Sequence, residues 1–231
     1  MEKKSELINW LGELHNYNSY LEVATANSGF QFAEIDNQVF STRDRIMYRL
    51  PPNYNDGMAV TCSSLTVESC DCFKHLIDQD KKYDLVFIDS YHTYEASRRD
   101  LELALLVLKP TGTLVVHDCN PPSEIYTRPE SMQANWTGET FLAFLDFVRE
   151  TENLDYCVVD MDWGCGVVRW SNPSLAISHV VPTSTGLCRR ADSTWPGYSY
   201  YQWKIFDQHR NSLLNLKSVA AFKDLYMTNI G

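Results

Sequence analysis

The chain has 231 residues, 44% of them hydrophobic, with 20 basic and 30 acidic side chains for a formal net charge of −10. That length and apolar content are enough to bury one α/β core and argue against a disordered chain. The acidic balance, with no stripe of Lys and Arg, argues against a nucleic-acid footprint and leaves a small molecule as the expected partner.

Residues 2 to 15 read as a flanking helix, with Leu7, Ile8, Leu11 and Leu14 on one side and charges on the other. This start lacks the apolar centre of a signal peptide, no run of about 18 apolar residues predicts a membrane span, and the seven cysteines show no Cys-x-x-Cys spacing. A cytoplasmic protein with free thiols is expected.

Ser19 to Ala24 is a short predicted strand, followed by the loop Thr25 to Gly29 and a helix beginning near Phe30. A strand feeding a turn and then a helix is where nucleotide-type ligands dock in α/β folds, because the helix start offers free N–H groups. Glu22 is an acid inside that apolar strand, and a buried carboxylate needs a defined partner. Further on, Val39 to Thr42 and Met58 to Cys62 are expected as the second and third strands. Arg43, Asp44, Arg45 and Arg49 precede Pro51 to Gly57, a turn-rich segment that reads as a surface loop. A helix over 69 to 79 follows.

The chain is organised around Lys82 to Pro122. Leu85 to Ile88 is an apolar run that stops at Asp89, and Leu114 to Val116 is another that stops at Asp118. Leu101, Ala104, Leu105 and Leu108 recur at helical spacing between them, and Lys109 to Gly112 is expected to end that helix. Strand, helix, strand is a crossover unit, so two neighbouring parallel strands should present both acids at one edge, where α/β proteins bind ligands. His92 lies three residues beyond Asp89. Asp89, His92 and Asp118 therefore form a candidate acid/base or metal cluster. His117 is placed on the opposite face, as a hydrogen-bonded core histidine.

After Pro122 a polar loop reaches Asn135, and a helix follows Trp136 to Glu139. Residues 156–160 and 165–170 predict two antiparallel strands, and Trp203 to Met227 one or two closing helices. One domain over residues 1–231 is expected, with 1–18 as a flanking helix and 171–231 as a C-terminal extension.

Tyr20-Leu-Glu-Val, the block from Tyr83 to His92, Val116-His-Asp-Cys-Asn-Pro-Pro122, Trp136-x-Gly-Glu139 and Asp160-x-Asp-Trp-Gly-Cys-Gly166 together resemble class I S-adenosylmethionine-dependent methyltransferases. More narrowly, they are similar to the bacterial branch of macrocin-type and related O-methyltransferases. The resemblance implies a Rossmann-like α/β fold: a seven-stranded, mostly parallel sheet with an antiparallel last strand and helices on both faces. It implies S-adenosylmethionine as cofactor, with Glu22, Ala24, Gly29, Asp44 and Asp89 in its binding and Asp44 near the ribose. It also implies methyl transfer to the hydroxyl of a small polar or sugar-containing acceptor, with Asp89 and His92 catalytic and His92 taking the proton. Mg²⁺ is the expected metal, held by Asp89 and Asp118 with Glu139 or Asn120. Ala24 stands where the family writes the first glycine of its loop, so a methyltransferase-fold binding protein with weakened catalysis is the alternative expectation.

Overall fold

The computed structural model describes residues 1–25, 29–48, 69–89, 91–128, 136–175 and 200–228. Within them, α1 (Lys4–His15) precedes β1 (Ser19–Thr25), α2 (Gly29–Glu34) and β2 (Thr42–Tyr48). Then come α3 (Ser69–Asp78), β3 (Tyr83–Asp89), α4 (Tyr94–Val107) and β4 (Leu108–Val116). The chain continues through α5 (Thr140–Glu150), β5 (Leu154–Val159) and β6 (Cys165–Trp170) to α6 (Tyr200–Leu213) and α7 (Val219–Thr228). No helix among the described residues is long and apolar enough to cross a membrane.

Six strands form one sheet in the order β2-β1-β3-β4-β6-β5. The first four are mutually parallel, whereas β6 runs antiparallel to both β4 and β5. This is the expected Rossmann-like arrangement with six described strands where seven were expected. The strand expected over Met58 to Cys62 lies outside the described residues.

Alternation along β3 sorts the core into two layers. Val86 and Ile88 pack with Phe73, Leu101, Phe141 and Phe206, so α3, α4, α5 and α6 cover that face. Leu85 and Phe87 pack with Leu7, Ile8, Leu11 and Phe222, so α1 and α7 cover the other. Leu7, Ile8 and Leu11 are completely buried. Each contributes about 1.5–3 kcal/mol of apolar burial, enough to seat α1 firmly against the sheet.

Two boundaries differ from expectation. The second strand begins where it was expected to end, because the charges of Thr42–Tyr48 find partners across the sheet: Arg43 donates to the Ile35 carbonyl, Asp44 accepts from Tyr83, and Arg45 pairs with Glu22. α4 also passes straight into β4 at Leu108. Tyr83 pairs with Leu108 but Leu85 with Thr113, so Lys109 to Gly112 bulges out of the ladder, a place where a strand tolerates proline.

Candidate functional site

The alternation that buries Leu85 and Phe87 beneath α1 puts Asp89, the last residue of β3, on the same side. There it meets α1. Lys4 extends the buried stripe of that helix, since 4, 7, 8 and 11 share one face. Its Nζ lies 2.7 Å from Asp89 Oδ2, and its backbone N–H donates to Asp162 Oδ2 at 3.0 Å.

Just past β4, His117 N–H donates to the Ile88 carbonyl at 2.9 Å. Asp118 then adopts φ +61°, a left-handed conformation that turns the chain sharply. His117 keeps the alternation of β4 and lies on the side of Val115, Phe87 and Asp89; the left-handed turn brings Asp118 round to that side too, which corrects the placement of His117 on the face opposite it. Its Nδ1 lies 3.4 Å from Asp89 Oδ1 and 3.3 Å from Asp118 Oδ1, and its Nε2 lies 3.6 Å from Asp162 Oδ1. The turn is held from behind, where Cys119 N–H donates to the Gly164 carbonyl and Asn120 N–H to that of Trp163. Gly164 has φ +88°, and a β-carbon there would lie 2.3 Å from Asn120 Cβ. The Asp-Trp-Gly-Cys-Gly motif thus buttresses the turn that carries Asp118.

His92 completes the cluster. Its Nε2 lies 3.3 Å from Asp89 Oδ1 and 3.2 Å from Asp118 Oδ2, and its Nδ1 lies 2.7 Å from the Trp136 carbonyl. The carbonyl of His92 accepts from Glu139 N–H at 2.8 Å. A carbonyl only accepts, so Nδ1 carries a proton. Asp89 is held well below the usual carboxylate range: burial opposes its charge, but Lys4, His117 and His92 outweigh it. As an ionised acid it too only accepts, so Nε2 carries a proton as well. Burial works against that imidazolium, yet Asp118 and Asp89 raise its pKa above the usual histidine value. The same two acids raise His117 against its own burial, and Asp89 lifts Lys4 in the same way.

Three acidic side chains, Asp89, Asp118 and Asp162, therefore face three basic ones, Lys4, His92 and His117. Asp89, His92 and Asp118 each offer a ligand atom within 4.8 Å of the others, and such a donor set suits a hard divalent ion. As arranged, however, those atoms already face ammonium and imidazole protons, so the arrangement does not fit a metal ion. Glu139, expected as a further ligand, accepts from Tyr94 N–H at 3.4 Å at the start of α4. The other candidate, Asn120, donates its side-chain N–H to Asp160 and accepts from Arg210 at Oδ1.

The residues expected to hold a cofactor separate into two groups. Ala24 is fully buried at the end of β1, directly beside Asp89 in the sheet register, and Gly29 opens α2 at the same edge. Residues 26–28 between them lie outside the described residues. Asp44 does not belong at this edge. It pairs in register with Leu21, three residues or about 10 Å short of Met47, which sits beside Ala24. Its carboxylate accepts from Tyr83 OH at 2.7 Å and pairs with Lys81 at 2.6 Å. The ribose role expected of Asp44 is thus corrected, because the acid lies well inside β2 and short of its carboxyl end.

Glu22 is fully buried, with Oε1 2.9 Å from Arg45 Nε and Oε2 accepting from Tyr20 OH at 2.9 Å. Burial pushes its pKa up to about 7, outweighing Arg45. The folded chain therefore keeps a proton that the unfolded chain releases near the ordinary glutamate value. Stability from this group is greatest below that value and falls as pH rises through about 7. Between pH 5 and 8 the wild type should lose roughly 2 kcal/mol more than Glu22→Gln in urea denaturation; parallel curves would refute this.

Lys4, His117 and Asp162 were not anticipated at the site. For Lys4 a signal existed, in its helical spacing from Leu7, Ile8 and Leu11. A separate cavity of about 550 Å³, lined by His15, Arg169, Trp170 and Tyr226 among others, lies toward the opposite end of the sheet from Asp89. It has no part in this cluster.

The comparison with known families falls on the same segment. Residues 14–119 match the family model described as a methyltransferase domain. That span holds Glu22, Ala24, Asp89, His92 and Asp118, so most of the cluster lies within the matched segment. No curated protein matches the chain. Among solved structures, a candidate caffeoyl-CoA O-methyltransferase from Staphylococcus aureus is similar at 15% identity and a TM-score of 0.50, covering 72% of this chain and 82% of that one. A candidate O-methyltransferase from Klebsiella pneumoniae is similar at 13% identity and 0.51, covering 73% and 80%. At these identities the likeness is one of fold. The matched segment places Asp89 and Asp118 at the carboxyl edge of the parallel strands, and α1 and the turn between β5 and β6 bring Lys4 and Asp162 to them.

Proposed function

We propose that the chain is an S-adenosylmethionine-dependent O-methyltransferase acting on the hydroxyl of a small polar or sugar-containing acceptor, in the manner of the macrocin-type branch. The observation that carries this reading is an imidazole, His92, held between two carboxylates at the carboxyl edge of the parallel strands, within the segment that matches a methyltransferase-domain model. Ala24 and Gly29 would hold the cofactor, beside Asp89. When bound, the cofactor supplies an electrophilic methyl group on a sulfonium.

The chain's own residues prepare the acceptor. The Trp136 carbonyl fixes the His92 ring through Nδ1–H, which aims Nε2 at the edge where the hydroxyl arrives. Asp89 and Asp118 keep Nε2 protonated at rest, so His92 becomes a base only above the usual histidine range. It then takes the hydroxyl proton at Nε2, and the two carboxylates stabilise the imidazolium formed. A metal-assisted version would require Lys4 to leave Asp89.

Calorimetry with S-adenosylmethionine and its demethylated product is the first test, and binding in the micromolar range is expected. No binding at millimolar ligand would favour the weakened binding protein, a reading that rests on fully buried Ala24 in place of glycine. With an acceptor in hand, kcat/KM should rise with pH along a limb displaced above ordinary histidine. Asp118→Asn should move that limb down, and His92→Ala should remove it. A limb unmoved by Asp118→Asn would remove His92 as the base.

A further inference from the structure

A flanking helix delivers a lysine into the acidic cluster. We propose that Lys4 is the resident cation of the Asp89–Asp118 pair and that it keeps divalent metal ions out of this site.

Lys4 Nζ lies 2.7 Å from Asp89 Oδ2 and 3.3 Å from His117 Nδ1, on the side of Asp89 that His92 leaves open. Its side chain is only 19% exposed. An ammonium on a flexible stem usually loses much of its pairing energy to the entropy of being held still. Here the stem belongs to a helix already seated by Leu7, Ile8 and Leu11. That helix is tied further by Ser5 and Lys3 to Glu34, by Asn9 to Asp36, and by the Lys4 backbone to Asp162. The charge arrives pre-positioned, and folding supplies it permanently. A metal ion bound by Asp89 would have to displace this ammonium from Oδ2. None of this depends on methyl transfer being the reaction.

Mn²⁺ titration of the full chain, by calorimetry and by the loss of the free-ion paramagnetic resonance signal, tests the proposal. Near-ultraviolet circular dichroism would report whether each variant is folded. Wild type should take up no Mn²⁺ that depends on Asp89, judged against Asp89→Asn. Lys4→Met should gain such a site, at least tenfold tighter, while Lys4→Arg should exclude the ion as wild type does. That split separates a charge role from simple packing. Asp89-dependent uptake by wild type overturns the proposal, and so does a folded Lys4→Met protein that binds no better. Should Lys4→Met not fold, Lys4→Gln takes its place and the wild-type titration still decides against the proposal if it is positive.

Discussion

Asp89→Asn is expected to destabilise the fold by about 3–5 kcal/mol, the range for removing one partner of a buried ion pair. It should also lower the proposed methyl transfer by at least ~100-fold, the scale of disabling the proton transfer proposed for His92. The carboxylate is buried and meets Lys4, His92 and His117 at once. Without its charge, the Lys4 ammonium stays in a largely closed site with no ionised partner at hydrogen-bond distance from Oδ2. The double variant Lys4→Met/Asp89→Asn should regain part of the loss, a coupling of about 1–3 kcal/mol for residues in contact. Urea denaturation of the four proteins measures it. Strictly additive losses would mean that the Lys4–Asp89 contact carries no energy.

Gly138→Ala should disable the protein from a position that bears no functional group. Gly138 has φ +54°, and a β-carbon there would fall 2.0 Å from the His92 carbonyl oxygen and 2.8 Å from His92 Cβ. Left-handed backbone alone costs alanine about 1–2 kcal/mol. The overlap adds to this, because the turn from Trp136 to Glu139 must retreat, carrying away both the Trp136 carbonyl that orients the ring and the Glu139 N–H on the His92 carbonyl. A displacement of about 1 Å at a reacting group is enough for a ~100-fold loss in turnover. Affinity for the proposed cofactor should change little, since Ala24 and Gly29, proposed to hold it, lie on other elements. Stopped-time methyl transfer beside calorimetry separates the two effects, and full activity in Gly138→Ala would show that the turn does not position His92.

These expectations show how unevenly the chain announces its structure. The crossover unit was legible because Leu85 to Ile88 and Leu114 to Val116 are apolar runs ended by acids, and the pairing of β3 with β4 follows from topology alone. Thr42–Tyr48 was not legible as a strand, since Arg43, Asp44 and Arg45 look solvated until their partners on neighbouring elements are known. His117 follows the alternation of β4 and lies with Val115 on the face of Asp89, whereas the left-handed turn that brings Asp118 onto the same face is not legible from strand alternation. Lys4 was overlooked for a different reason. Its spacing marks it as part of the buried stripe, but a lysine there reads as a solvated helix start unless the acid it meets is already located.

Lys4 is separated from Asp89 by 85 residues and from Asp162 by 158. A nascent or partly unfolded chain whose sheet has formed but whose first helix is still undocked holds its rim acids against only the two imidazoles. Closing that imbalance requires a contact between distant parts of the chain, so the rim reaches neutrality late, through long loop closures. The order in which the polypeptide condenses thus decides when its acidic edge stops being open to stray cations.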